Sequence, residues 1–555
     1  MVGVTGHRNL RNQDISALKA AVKSELASLR AKCPHSEIVV MTGAAEGADI
    51  LCAETALEMG LGTVSVLPMP VKEYEKDFDP GTGRQEVLHD LVTKSGKVLI
   101  APYIEPYTEG RDYLYRQAGL YIAKHSHCML SLWDGVEGDP AGCGTASITD
   151  VKITTSYDEA AGRQLHPADG VVVQIVTPRD TADADVQDAG EAGHIVMHGS
   201  QDSLDMILAA TDAYNRDCLR LQASEAGKTS TGDAQGSAAQ KDLEAAAAKP
   251  ADSGATAAMP ADPVMEKIDA VYYASDRMSV MNAERHRKSL AAMSVFATFL
   301  ALAFLLYDEV EWTWMMLVCG IIIVLLFAIN ALNGRLSSQR KYLEYRILAE
   351  TMRVQSYMRT AAINCEVSDI LPWSLQVSIP WVRHAVPAVN IGTPASEKNS
   401  ILESWVIDQK EYHKRALART EAQLRNNDRI VRAALVLTLF IYVSALIFEV
   451  GWGGMLGREA LVTGAPAADV RLFIKIAMGT FSCGTLFAGN YYGKQALPDV
   501  MDDHRKMILL YEEAEREIAA NGERESLLIR LAENELNENS NWYAYQSKHE
   551  PELAI

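Results

Sequence analysis

The chain is short of basic charge. Its 555 residues carry 52 Lys and Arg against 72 Asp and Glu, a formal net charge of −20. Nucleic-acid binding needs a basic face that neutralises phosphates, so nucleic acid is excluded as the main partner. Cysteine is equally sparse: eight are scattered along the chain, with no Cys-x-x-Cys pair and no His/Cys cluster at zinc spacing. Several (Cys52, Cys319, Cys483) fall in apolar runs. They read as reduced packing residues in a cytosolic or membrane setting, not as a disulfide framework. The N-terminus lacks a basic stretch followed by an apolar core, so no cleavable signal is expected. His125 and His127 flank one serine with no third ligand in view, and no metal is expected there.

What the chain does have is uncharged length. Leu290–Tyr307 runs eighteen residues without a charge and Trp312–Leu332 another twenty-one, separated only by Asp308, Glu309, Val310 and Glu311. At ~1.5 Å rise per residue each run reaches about 27–31 Å, close to the ~30 Å hydrocarbon thickness of a bilayer. Three acids in the turn do not belong in lipid. The pattern predicts a transmembrane helical hairpin. A second pair of spans is expected at about 433–450 and 472–492, the latter carrying Lys475 near its outer end, where a lysine can snorkel. Gly479, Thr480, Cys483 and Gly484 give that span small-x-x-x-small spacings suited to close helix packing.

Long helices flank both pairs. One leads in over 265–288, and one follows from Arg335 to about Ala361 with a stripe of Leu343, Ile347, Val354 and Tyr357. Glu350 interrupts that stripe and is expected to pair with Arg346 or Arg353. A basic helix over 405–432 and a last helix from Pro498 to about Asn539 frame the second pair. Basic residues crowd 285–288, 335–341, 414–432 and 494–506, while the first outer loop has none. The positive-inside rule then puts both termini in the cytoplasm.

The N-terminal 222 residues follow a different rhythm. Val2–Gly6, Ile38–Met41, Thr63–Leu67, Lys97–Ala101, Cys128–Trp133 and Val171–Val176 read as short strands alternating with helical periods, the first of them Ile15, Leu18, Val22, Leu26 and Leu29. That alternation predicts an α/β, Rossmann-like parallel sheet covered on both faces. In such sheets a ligand sits beyond the carboxyl ends of the strands, and three strand ends here carry glycine loops. The first is Thr5, Gly6, His7 and Arg8; the second runs Gly43, Ala44, Ala45, Glu46, Gly47, Ala48 and Asp49; the third spans Asp134 and Gly135 to Gly142, Gly144 and Thr145. Glycine lets backbone approach an anion, and a following helix offers N–H groups and a dipole. A nucleotide or nucleotide sugar is therefore the expected ligand, with Arg8 as a phosphate donor, Asp49 as a ribose acceptor or helix cap, and Arg116 reaching a second phosphate or lying on the surface.

These three loops together resemble the SLOG superfamily, which includes phosphoribohydrolases and nucleotide-sensing domains. The resemblance covers about 1–222 and implies a nucleotide-derived ligand such as an ADP-ribose-like signal. Enzymatic members end their third loop in a catalytic Glu; Ile148 stands at that place here, and isoleucine cannot support glycosidic cleavage. The domain is thus expected to bind rather than cut. A membrane-tethered hydrolase using Glu46 or Asp150 is the alternative.

Residues 223–263 are Ala, Gly, Ser, Thr, Asp and Pro with almost no large apolar side chain, and read as a flexible linker. A helix–span–span–helix unit follows over 264–365, then a connector over 366–400 and a second such unit over 401–545. Tyr345–Arg353 resembles SLATT domains, two-span membrane effectors that accompany SLOG sensors in bacterial conflict systems. The resemblance implies a multi-pass protein of the bacterial inner membrane, with the lipid bilayer and further copies of itself as partners, that forms a pore in antiviral defence. A slack linker cannot transmit a push, so oligomerisation of the sensor domains is the expected trigger.

Overall fold

The computed structural model describes residues 1–79, 83–102, 110–139, 142–156, 166–179, 191–231, 262–310, 312–395, 398–448, 450, 472–485 and 497–548. The N-terminal unit begins with β1 (Val2–Gly6), α1 (Ile15–Lys32), β2 (Val39–Thr42), α2 (Ala48–Glu58) and β3 (Gly62–Leu67). It continues through α3 (Val71–Tyr74), α4 (Arg84–Lys94), β4 (Lys97–Ile100), α5 (Arg111–His125), β5 (Cys128–Trp133) and α6 (Thr145–Thr154). It closes with β6 (Val172–Val176), β7 (Ile195–His198) and α7 (Gln201–Thr231).

Each predicted strand is present, because runs such as Val172–Val176 are apolar on both faces and can be buried on both. The sheet order is β4-β3-β2-β1-β5-β6-β7. Neighbours are parallel, except that β7 runs antiparallel to β6. The chain winds outward from β1 to β4 and then returns to place β5 on the other side of β1, which makes a topological switch point between β1 and β5. Leu18, Val22 and Leu26 of α1 pack with Leu204 and Leu208 of α7 on one face of the sheet. Ala118 and Ile122 of α5 and Ile148 and Val151 of α6 cover the other. Ile15, at the head of the predicted period, is exposed.

The seventh strand was not foreseen. Ile195–His198 is four residues at a sheet edge and only half-buried, so its apolar pattern is weak.

The remainder is helical: α8 (Pro263–Val310), α9 (Met315–Leu336), α10 (Ser338–Thr360), α11 (Val367–Ile370), α12 (Trp373–Ser378), α13 (Pro380–Val389), α14 (Asp408–Ile447), α15 (Leu472–Thr485), α16 (Leu497–Asn521) and α17 (Glu525–Lys548). Three helices, within α8, α9–α10 and α14, are long and apolar enough to cross a membrane. Their apolar stretches are hardly covered by protein: Leu317, Val324, Phe327, Val436, Leu439 and Phe440 are each more than half exposed. Such a surface suits lipid rather than water. The fourth predicted span appears as the shorter apolar helix α15, and the rest of 472–492 lies outside the described residues. Within the hairpin, Met293 and Ala303 of α8 pack on Cys319, Ile322 and Leu326 of α9.

Four features of this half depart from the sequence reading. Helix α7 runs on to Thr231, so the first residues of the predicted linker are helical; 232–261 lie outside the described residues. The last helix is two helices, broken at Gly522, whose φ of 74° stops α16 and turns the chain back. The stretch 366–400 is more than a connector: Val367, Ile370, Leu375, Trp381 and Val386 are buried in one core with α8, α10, α16 and α17. The fourth departure concerns the linker. The α/β unit is docked directly on the helical half, with Ile207 and Tyr214 of α7 inside that same core. Asp217 of α7 accepts from Lys341 Nζ at 2.7 Å and Tyr345 Oη at 2.9 Å on α10. Glu350 sits, as expected, between Arg346 and Arg353, and Arg353 also reaches Glu535 of α17 at 2.8 Å.

Candidate ligand cleft at the strand ends

The carboxyl ends of β1, β2 and β5 open into a cleft of about 560 Å³ at the switch point. All three glycine loops reach it. Of the residues singled out from sequence, Thr5, Gly6, His7, Arg8, Gly43, Asp49, Gly142, Gly144 and Thr145 line its wall. Ala44, Glu46, Gly47, Arg116, Asp134 and Gly135 do not.

The first two loops are locked into each other. Ala48 N–H donates to the His7 carbonyl at 3.0 Å. A Cβ on Gly6 would fall 2.3 Å from the Ala48 Cβ, and one on Gly47, at φ 80°, would lie 2.2 Å from the Arg8 carbonyl oxygen. Neither position admits a side chain. Ala45 N–H is taken by Asp49 Oδ2 at 3.2 Å. Asp49, buried and in the first turn of α2, thus serves as the acceptor for the loop ahead of its own helix. Burial pushes the Asp49 carboxyl up to about 6. Ala44 holds a left-handed φ of 54° while wholly buried, with its N–H on Thr42 Oγ1 at 3.0 Å.

The third loop is arranged differently. Gly144 precedes α6, and a Cβ there would meet nothing within 4 Å. The first N–H groups of α6, at Thr145 and Ala146, have no acceptor within the helix and border the cleft. The positive end of α6 thus borders the cleft, where an anion can reach it. Arg116 is neither a surface residue nor a wall residue. Buried on α5, it donates to the Gly142 carbonyl at 2.5 Å and to Ser147 Oγ at 2.9 Å, fixing the loop from behind.

His7, Asp134 and Arg179 form a second cluster. His7 Nε2 accepts the Asp134 N–H at 3.2 Å, and Arg179 Nε lies 2.6 Å from Asp134 Oδ2. Burial lowers the His7 pKa, so this imidazole is neutral at neutral pH. Arg8 stands over the Tyr115 ring, 4.8 Å from its centroid, a cation–π contact that holds the guanidinium at the mouth.

Several wall residues escaped the sequence reading: Tyr74, Asp112, Tyr115, Cys143 and Arg179. Arg179 follows β6 and was available as a strand-end residue without a glycine. Tyr115 is the neighbour of Arg116 in sequence, but it lines the cleft while the Arg116 guanidinium lies behind the third loop. Of the two acids considered for hydrolysis, Glu46 turns to Arg84 Nη1 at 2.7 Å and Asp150 is exposed on α6; neither lines the cleft. His125 and His127 are both buried, His125 on Glu366 at 3.0 Å and His127 on the N-terminal amine at 3.3 Å. Among the described residues no group of three or more His, Cys, Asp or Glu could hold a metal ion.

The cleft therefore offers one open helix N-terminus, two arginines, two tyrosine rings and a buried carboxyl at the far end. That set can seat an anionic group and a flat or hydroxylated one together. No family model and no curated protein matches this chain.

Proposed function

We propose that this chain is a membrane sensor–effector. The cleft takes a nucleotide-derived signal, and occupancy changes how the membrane helices pack, so that the bilayer becomes permeable. The observation that carries the reading is the convergence of three glycine loops on one cleft at the sheet's switch point, in a unit docked on helices that run on into apolar, uncovered stretches. Phosphate would lie at the α6 N-terminus beside Arg8, with Asp49 toward a ribose hydroxyl. The likeness to SLOG sensors and SLATT effectors agrees with this division of labour, as does Ile148 on the cleft wall where an enzyme would need a carboxylate. In this reading the chain has four spans, both termini are cytoplasmic, and several copies assemble in a bacterial inner membrane during defence against phage.

A ligand shifts such an equilibrium only by binding one state better than the other. The test is dye release from liposomes carrying the full chain, against ADP-ribose, cyclic ADP-ribose, NAD, AMP and cyclic oligonucleotides. Release with one of them, abolished by Gly144→Arg, supports the reading. Consumption of a nucleotide without release would replace it by a tethered hydrolase.

A further inference from the structure

Helix α5 has two working faces. One face, with Asp112, Tyr115, Gly119 and Ile122, is a wall of the cleft. The other, with Gln117, Tyr121, Lys124 and His125, borders a second cavity of about 380 Å³ between the α/β unit and the helical half. The helix is bound firmly on both sides.

On the cleft side it is tied to α6 at three heights. Arg116 holds Gly142 and Ser147, as described. A Cβ on Gly119 would lie 2.6 Å from the Ile148 side chain, so the two helices touch with no space between them. Lys152, wholly buried on α6, donates to the carbonyls of Ala123 at 2.9 Å and Ser126 at 2.6 Å, closing the carboxyl end of α5. The helix that offers its N-terminus to the cleft is therefore fastened to α5 along its length.

On the far side α5 ends in a latch. Lys124 Nζ lies 2.8 Å from Asp369 Oδ2 and 3.0 Å from Glu366 Oε2, and His125 Nε2 lies 3.0 Å from Glu366 Oε1. Glu366 precedes α11 and Asp369 lies within it, and α11 hangs from α10: Val367 N–H donates to Gln355 Oε1 at 2.9 Å. One turn on, Arg359 of α10 holds Asp262, at the root of α8, at 2.6 Å. Helices α8 and α10 are the continuations of the two spans of the first hairpin.

We propose that α5 is the strut that carries occupancy of the cleft to the roots of the first hairpin, through the latch of Lys124 and His125 on Glu366 and Asp369. The path is short and made largely of part-buried, charge-assisted bonds, which are the stronger kind. Packed cores answer a small displacement by switching arrangement rather than by deforming smoothly. What α5 carries rests on the sensor reading above; that it links the two sites mechanically does not. By linkage such a coupling is reciprocal: what the cleft wall does to the latch, the latch does to the cleft wall.

The test needs no ligand. Full-length protein in detergent is followed by hydrogen–deuterium exchange, with a wedge introduced between α5 and α6 by Gly119→Val. Exchange in peptides over 363–370 and 390–393 is expected to rise about fivefold or more, the low end of an ordinary coupling between sites. In a Lys124→Met/Glu366→Gln/Asp369→Asn background, where the latch is neutral, the same wedge is expected to leave those peptides at that background's own level. A wedge whose effect stops at the cleft loops would overturn the proposal, as would an equal effect with and without the latch. Peptides over 18–29 in α1 report global unfolding; should Gly119→Val fail to fold, Gly119→Ala with the same readout decides between the same outcomes. Failure of every nucleotide to bind would defeat the sensor reading and leave this result standing.

Discussion

Arg116 Nη1 lies 2.5 Å from the carbonyl oxygen of Gly142, joining the middle of α5 to the loop that opens α6. The guanidinium is buried and never meets the cleft. Arg116→Met is expected to free the loop by roughly 1.5–3 kcal/mol, the range for a hydrogen bond to a charged group. Exchange over 142–148 should rise tenfold or more (about 1.4 kcal/mol per tenfold) while exchange over α1 stays as it was. An Arg116→Met protein with unchanged loop protection would show that the contact is passive.

Asp49 should make the protein less stable as pH rises. Its folded-state pKa, pushed up by burial, is about 6 against an ordinary 3.8. A carboxyl that holds its proton more tightly when folded contributes stability that is present below 3.8 and lost as pH climbs through about 6. Asp49→Asn keeps an acceptor for the Ala45 N–H and removes the charge. The variant should melt higher than the parent at pH 8, by up to roughly 3 kcal/mol at 1.36 kcal/mol per unit. The two should coincide near pH 4. A constant difference across that range would contradict this.

His413 acts in the opposite sense. Its Nδ1 lies 3.0 Å from Nδ1 of His504, joining the first turns of α14 to α16. One ring donates and the other accepts on a bare Nδ1. Burial, with His504 adding to it, brings His413 down to about 3 from 6.5. A histidine with a depressed folded-state pKa contributes stability above 6.5 that is lost as pH falls from there toward 3. Protection over 409–416 and 504–511 should decline through that window, and His413→Gln should flatten the decline.

The spans themselves carry a close approach. A Cβ on Gly479 of α15 would stand 2.2 Å from Leu305 Cδ1 of α8. Gly479→Val should lower the melting temperature in detergent, and Leu305→Ala should restore much of it; overpacking of this kind costs about 1–3 kcal/mol. Additive losses in the double variant would mean the two helices do not meet there.

Much of the α/β unit was legible because its physics is local. Strands such as Cys128–Trp133 are short, apolar and bounded by turns, and the period of Leu18, Val22 and Leu26 declares a buried helical face. Strand-end glycines located the cleft by the same logic. The parts that escaped are those where tertiary packing decides. Arg116 and Tyr115 are adjacent in sequence, yet one braces the third loop from behind and the other lines the cleft, a distinction that needs the helix's rotation on the sheet. Asp134 reads as a loop acid until Arg179, far along the chain, is seen against it. The docking of the two halves was hidden for the same reason: Lys124, Glu366 and Asp369 are ordinary surface types, and only their meeting makes them a latch. Gly522 was visible as a glycine in a helical period, but it was read through rather than as a stop.

The docked arrangement also bears on the thirty residues between Thr231 and Asp262. A chain segment that joins two bodies already pinned together closes a ring, and the entropy of closing a ring changes slowly with length, by about 0.6 kcal/mol for each doubling. Evolution can therefore lengthen, shorten or rewrite this segment almost freely, and a fluorescent domain inserted there would ride along without loosening the joint. The same tolerance does not extend to Glu366 or Asp369, whose carboxylates meet Lys124 across the joint itself.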